Sequence, residues 1–326
     1  MQDKNRFKLS TVLAVLFLLS VVIFGGFQLL KPTFSSDEIE NAEGSASKTI
    51  IKDGKKYYPK QDITTILLLG TDEFGPKESS GLYFNSCESD VVMLIVFNEA
   101  EENYDIICLN RDTMVEMPVI GLGGKRAGTA YQQLALAHTY GTGLEDSCEN
   151  SKETISKLFN DIYIDHYASM NMDVISIVAD AVDGVPVNIT EDFSAVDPEL
   201  VMGEMRLNGQ QAVSYVRVRQ NVEDQMNVSR MDRQKKFMEG FIGAAKAKKA
   251  NGDSFIRNTY AAISPYMVTD ISVNAASGMF SRYADFDLGQ VIIPKGENVK
   301  GNKYMEFYLD QTAFEDMVLE IFYREK

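Results

Sequence analysis

Residues 63–69 (ITTILLL) form a continuous apolar run that stops at Gly70-Thr71-Asp72. A short apolar run without alternation reads as a strand buried on both faces, central in a sheet. Residues 91–97 (VVMLIVF) repeat the pattern, and 105–109 (DIICL) give a third strand. Ahead of them, 49–52 and 55–58 flank Asp53-Gly54, a hairpin turn signal.

Helical patterns follow. Asn150 and Glu153 have capping-box spacing for a helix over 151–160. Residues 173–182 (DVISIVADAV) are amphipathic and stop at Gly184, after which 184–189 return as a strand. Asn208 can cap a helix through Tyr215. A long helix is expected over 229–249, with Phe237, Phe241 and Ile242 on one stripe. Residues 311–323 place Phe314, Met317, Val318, Ile321 and Phe322 on one face. Buried strands interleaved with helices predict an α/β domain, a layered β-sheet flanked by helices. No linker is visible after residue 60, so one domain is expected over 49–326.

Residues 9–30 (LSTVLAVLFLLSVVIFGGFQLL) carry no charge. About 20 apolar residues span a bilayer as a helix. Lys4, Arg6 and Lys8 make 1–8 a basic tail that stays cytoplasmic, so residue 31 onward faces outward. A cleaved signal peptide has a shorter apolar core and a small-x-small site, which 29–34 (LLKPTF) lack. Residues 31–48 are polar and acidic and read as a stalk.

The net charge of −15 makes the chain a poor nucleic-acid binder, because phosphate backbones are bound through Lys and Arg. Three cysteines and two histidines, His138 and His166, exclude a zinc finger, a disulfide framework and histidine-rich metal chemistry.

Three clusters carry candidate chemistry. Asp72 ends the first buried strand and Asp90 begins the second. Ligands of open α/β sheets bind outside strand ends. Two carboxylates without histidine suit Mg²⁺ rather than Zn²⁺, the alternative being two surface loop acids. Arg111-Asp112 follows the third strand, either in a crevice or as a structural pair. The third cluster is Val216-Arg217-Val218-Arg219, then Asp224, Arg230, Arg233 and Gln234. If extended, 216–219 put both guanidiniums on one face, and Arg230 and Gln234 share a helix face at i, i+4. The arginine fork matches phosphate oxygens, although ion pairs with Glu223, Asp224 and Asp232 would also explain it. Arginines with a divalent-cation pair suggest a pyrophosphate, carried outside the membrane on a lipid.

Leu68-Leu-Gly-Thr-Asp72, Ser89-Asp90, Asn110-Arg111-Asp-Thr, Leu207-Asn-Gly-Gln-Gln-Ala-Val-Ser-Tyr-Val-Arg217-Val-Arg219 and Arg230-Met-Asp-Arg-Gln234 occur in an order that resembles the LytR-CpsA-Psr family. The resemblance covers about residues 60–245 and takes in the anchor before them. It implies a mixed-sheet α/β phosphotransferase of the bacterial cell membrane, single-pass, with its catalytic domain outside. Such enzymes move a glycopolymer (teichoic acid, capsule or similar) from a polyprenyl pyrophosphate carrier to peptidoglycan. It further implies that Asp72 and Asp90 hold Mg²⁺ and that Arg111, Arg217, Arg219 and Arg230 bind the pyrophosphate. Gln234, Arg233 and Asp224 are then expected to be substrate-binding.

The chain departs from the family pattern at Glu88, where many relatives have Arg, and at Asn227, where many have Asp. Residues 135–143 (ALAHTYGTG) carry His138 rather than the lysine often seen there. The general base is therefore unassigned. A non-catalytic scaffold and a lipid-pyrophosphate hydrolase are the alternatives. Cys87 and Cys148 lie in expected loops and can bridge outside the cell, with Cys108 a buried small hydrophobe.

Overall fold

The computed structural model describes residues 49–217, 233, 236–237, 239–241, 243–245, 247–248, 254–283, 285–301 and 304–325. The anchor and stalk expected over 9–48 lie outside the described residues, as does Ile242. Among the described residues, no helix is long and apolar enough to cross a membrane.

In chain order the first strands are β1 (Ile50–Lys52), β2 (Lys55–Pro59), β3 (Ile63–Thr71), β4 (Ser89–Asn98) and β5 (Asn103–Leu109). Then come β6 (Met114–Ile120), β7 (Arg126–Gln133), α1 (Glu145–Leu158), β8 (His166–Met170) and α2 (Asp173–Ala181). The chain continues through β9 (Val185–Ile189), β10 (Gly203–Leu207), α3 (Gly209–Arg217), α4 (Ser254–Ile263), β11 (Met267–Thr269) and α5 (Val273–Tyr283). It closes with β12 (Asp287–Ile292), β13 (Gly296–Lys300), β14 (Met305–Leu309), α6 (Gln311–Phe322) and β15 (Tyr323–Glu325). The described residues fall into two compact units. A sheet unit holds 49–69, 78–168 and 286–325, and a helical unit holds Gly70–Lys77 and Ser169–Asp285.

In the sheet unit the strand order is β8-β3-β4-β5-β12. The apolar runs of β3, β4 and β5 are buried as their lack of alternation requires, with Leu67, Leu94, Ile95, Ile106 and Ile107 inaccessible. β5 returns antiparallel to β4, from Val92↔Leu109 to Asn98↔Asn103. Asn98 holds the turn by accepting from the N–H groups of Ala100 and Glu101. β12 adds parallel to β5. Glu99 N donates to Asp62 O at 2.9 Å, bringing the end of β4 to the start of β3, so the two run in opposite directions. Phe159, just past α1, stacks edge-on against Phe314 and Phe322 of α6, with centroids 4.9 and 5.7 Å apart. The Asp53-Gly54 turn joins β1 to β2 with both residues at positive φ, as a type I′ hairpin needs.

The start of α1 corrects the sequence reading. The helix begins at Glu145, not 151, so Asn150 is no cap. It is buried and donates to Pro118 O and Ala137 O. The opening turn is held by Asp146, whose carboxylate accepts from Thr142 N and Thr142 Oγ1. The earlier start also carries Cys148 into the helix and the packed interior. The expected Cys87–Cys148 bridge is therefore absent: all three cysteines are described, all are buried, and none is in a disulfide. Cys108 is buried as expected, and burial pushes its thiol up to about 12. Alkylation in denaturant without reductant is expected to label three thiols, and native protein to react slowly. Fewer than three labels would contradict the fold here.

In the helical unit α2 buries Val174, Ile175 and Val178 and stops at Gly184, whose N–H returns to Ala179 O at 2.9 Å and whose φ is +87°. β9 and β10 pair antiparallel. Gly209 N donates to Asp180 Oδ1 at 2.7 Å, tying α3 to α2. A Cβ at Gly209 would stand 2.5 Å from Ser176 O, so the approach requires glycine. Asn208 caps α3 as expected, its Oδ1 accepting from Gln211 N. The described residues between 233 and 248 are helical and bury Phe237, Phe241 and Ala245.

Candidate active site

Among the described residues, each unit carries a cluster of arginine and carboxylate just past a buried apolar strand. In the helical unit β3 ends at Thr71, and Asp72 projects with its side chain 53% exposed. Asp72 Oδ1 lies 3.2 Å from Arg217 Nη2. Arg217 is the last residue of α3, so Val216 and Arg217 are helical rather than extended as the sequence suggested. Its guanidinium lies 5.1 Å from the centroid of the exposed Phe74 ring. The loop after Asp72 is pinned to the start of α2. Gly75 N donates to Asp173 Oδ2 and Asn171 Nδ2 donates to Gly75 O, both at 2.6 Å.

Lys77 closes that loop. Its side chain is only 6% exposed, and its Nζ donates to Thr71 Oγ1 at 2.7 Å and Glu73 Oε2 at 3.2 Å. The sequence reading missed Lys77, Glu73 and Phe74. Their one sequence signal was position, within five residues of a strand-end acid.

In the sheet unit Arg111 follows β5 and is the hub of three carboxylates. It pairs with Asp90 and Glu88 through its two terminal nitrogens, and its Nε lies 3.7 Å from Asp112 Oδ1. Buried Asn110 sets the bend: its Oδ1 accepts from Asp112 N, and its carbonyl accepts from Thr113 N and Oγ1. Gln133 Nε2 donates to Asp112 Oδ1 at 3.0 Å. Glu88, the departure from the family pattern, thus sits on Arg111. Asp90 lies within β4, one residue after the buried Ser89.

His138 belongs to the support for this loop. It is fully buried, and its Nδ1 is 2.8 Å from Cys87 O. Asn85 Nδ2 lies within 3.0–3.3 Å of the carbonyls of His138, Thr139 and Gly141. Burial in that network leaves His138 no open face from which to meet an acceptor.

Arg233 differs most from expectation. Its side chain is 2% exposed and pairs with Glu191, while its Nε donates to Tyr215 O at 3.0 Å. Its guanidinium also lies over the Phe193 ring, 5.4 Å from the centroid. It holds α3 to the 190–193 segment instead of lining an open surface. Arg219, Asp224, Arg230 and Gln234 lie outside the described residues.

Among the described residues, no group of three or more His, Cys, Asp or Glu side chains is arranged to hold a metal. An all-protein cage is not what Mg²⁺ asks for. It keeps waters and substrate oxygens and uses one or two carboxylates, so exposed acids such as Asp72 and Asp90 fit its donor set.

The LytR_cpsA_psr family model matches residues 27–320. An Enterococcus faecalis polyisoprenyl-teichoic acid–peptidoglycan teichoic acid transferase, TagU, is 30% identical over 210 residues, covering 64% of this chain and 61% of its own length. The Bacillus subtilis TagU is 23% identical over 326 residues, covering 98% and 96%. Among solved structures, Bacillus subtilis TagT superposes with a TM-score of 0.54 at 22% identity, covering 80% of this chain and 90% of TagT. The Streptococcus agalactiae protein gbs0355 does so at 0.58 and 22%, covering 80% and 86%. These two likenesses show the mixed α/β fold. With the family model spanning nearly the whole described chain, the protein belongs to the LytR_cpsA_psr family.

Proposed function

We propose that the chain is a phosphotransferase moving a glycopolymer from a polyprenyl pyrophosphate carrier to peptidoglycan. The observation that carries the reading is the pair of arginine–carboxylate clusters at strand ends, Arg217 with Asp72 and Arg111 with Asp90 and Glu88. The named relatives are teichoic acid transferases, which supports the substrate class.

In the reaction an acceptor hydroxyl oxygen bonds to the sugar-linked phosphorus. The bond from that phosphorus to the bridging oxygen breaks, the lipid phosphate leaves with the electron pair, and the hydroxyl proton passes to the departing phosphate or to water. Asp72 and Asp90 are the candidate ligands of Mg²⁺, which would neutralise phosphate charge when bound. Arg217 and Arg111 exchange a carboxylate partner for phosphate oxygens and meet the charge that grows on the leaving group. Arg219 and Arg230 are assigned to the same work on the family pattern. Phe74 lies against the Arg217 guanidinium, 5.1 Å from ring centroid to the guanidinium carbon. Residues 9–30 anchor the enzyme in the cell membrane, with the tail 1–8 cytoplasmic and the remainder outside.

The test is transfer of a labelled lipid-linked saccharide to wall glycan by the full chain with Mg²⁺. Label joined to glycan is the expected product. Label released as free saccharide phosphate would make the protein a hydrolase. Binding of the lipid without turnover would make it a scaffold.

A further inference from the structure

Beside the Arg111 cluster, the sheet unit presents an open sheet face that the reaction above does not use. Thr113 bridges Phe307 in parallel, and Phe307 N donates to Asp112 O, while Leu134 N donates to Thr113 O. Successive carbonyls point to opposite edges of a strand. β14 therefore meets the start of β6 on the side away from β7, through that one bridge, and the β7–β6 and β14–β13 pairs lie side by side there as two separate ladders.

Thr113, Val115, Met117 and Phe307 are buried, so near the bridge the odd-numbered side chains face the core, and Met114, Glu116, Glu306 and Tyr308 face out; farther along β6 Pro118 is buried too. The outward rows pair Tyr131 with Glu116 and Gln133 with Met114 across β7 and β6. They pair Tyr308 with Glu297 and Glu306 with Val299 across β14 and β13. Tyr131 is 59% exposed and Tyr308 39%. By register Tyr131 stands opposite Glu116 and Tyr308 level with Met114, so their positions are two strand spacings and two residues apart, about 12 Å. Tyr308 Oη donates to Glu306 Oε2 at 2.7 Å. Around the two tyrosines the charged side chains are the carboxylates Glu116, Glu297 and Glu306, while Arg126, opposite Ile120 at the far end of the row, pairs with Glu153. The face runs into the candidate site through Gln133, which donates to Asp112 beside Arg111.

We propose that this face seats the acceptor, a neutral strand of N-acetylated hexosamines. The inference rests on the transfer reading and adds the acceptor's place. Aromatic rings offer flat apolar faces to the C–H side of a pyranose, and carboxylates accept from sugar hydroxyls and acetamido N–H groups. The same carboxylates repel a phosphate-bearing polymer, so the face discriminates against the anionic donor chain. Gln133 then marks where the strand meets Arg111.

The probe is an N-acetylglucosamine hexamer titrated calorimetrically into the full chain in detergent, with an anionic uronic-acid oligomer as comparison. Tyr131→Ala and Tyr308→Ala are each expected to weaken hexamer binding roughly 5–10-fold, as exposed aromatic anchors do. Tyr131→Phe, which keeps the ring, should bind as wild type. Both alanine variants should raise the acceptor KM without changing binding of the lipid-linked donor. Their melting temperatures should hold, because the side chains are exposed. Wild type that ignores the hexamer, alanine variants that bind it normally, or equal binding of the anionic oligomer would overturn the proposal. Transfer that persists without hexamer binding removes this face and leaves the transferase reading. Hexamer binding lost in the alanine variants, by a protein that never consumes donor, removes that reading and leaves a glycan-binding face.

Discussion

Arg111→Ala is expected to slow glycopolymer transfer roughly 10–150-fold, which is one charge-assisted hydrogen bond of about 1.5–3 kcal/mol missing from the transition state. The same substitution is expected to tighten Mg²⁺ binding. In the structure the guanidinium of Arg111 sits on Asp90 and Glu88 and stands near Asp112, so a cation approaching Asp90 must displace it or share the acid. Removing it leaves three carboxylates without their common counter-charge, and a divalent ion is the best replacement available. Arg111→Lys should recover little of the rate, because an ammonium cannot serve two carboxylates and then two phosphate oxygens in one plane. The two effects are read separately, as kcat at saturating Mg²⁺ and as the Mg²⁺ concentration giving half the rate. A variant in which both fall together would mean that Arg111 helps to assemble the metal site rather than competing for it. A variant with normal kcat would remove Arg111 from the chemistry.

The three central strands were legible because burial on both faces leaves a plain mark, an apolar run with no alternation. β6, β7, β13 and β14 left none. Their outward rows are polar and aromatic, Pro118 and Gly128 interrupt the runs, and Val119–Ile120 carries a register shift. Their identity as strands comes from pairing partners far along the chain. The start of α1 was misplaced for a similar reason. Asn150 satisfies the capping pattern by composition, but the carbonyls it serves belong to Pro118 and Ala137. At the candidate site, Asp72, Asp90 and Arg111 were legible by position, each within two residues of the end or start of a buried strand. Lys77 was not, since a lysine in a polar loop looks solvated until Thr71 and Glu73 are seen around it.

Arg233 shows where motif reading runs out, and it carries the largest stability prediction. The motif sets it beside arginines assigned to phosphate, yet its side chain is buried against Glu191, itself only 14% exposed. Arg233→Ala is expected to lower the unfolding free energy by about 3–5 kcal/mol, because it leaves a buried carboxylate unpaired. The Tyr215 carbonyl also loses the hydrogen bond from Arg233 Nε. Arg233→Met with Glu191→Leu removes both charges at similar volume and should cost far less, since replacing a buried pair by apolar groups is often nearly neutral. Urea unfolding of the two variants separates the cases. A phosphate ligand on an open face would give the opposite pattern, with Arg233→Ala as stable as wild type and weak in substrate binding. Tyr215 stands two residues before Arg217 on α3. Loss of the Arg233–Tyr215 bond should therefore loosen the end of that helix and displace the Arg217 fork from Asp72. Arg233→Ala is thus expected to lose transfer as well as stability, while the double substitution regains the stability and only part of the transfer. Equal recovery of both would show that the buried pair alone positions Arg217, and no recovery of stability would show that Glu191 is satisfied by another group.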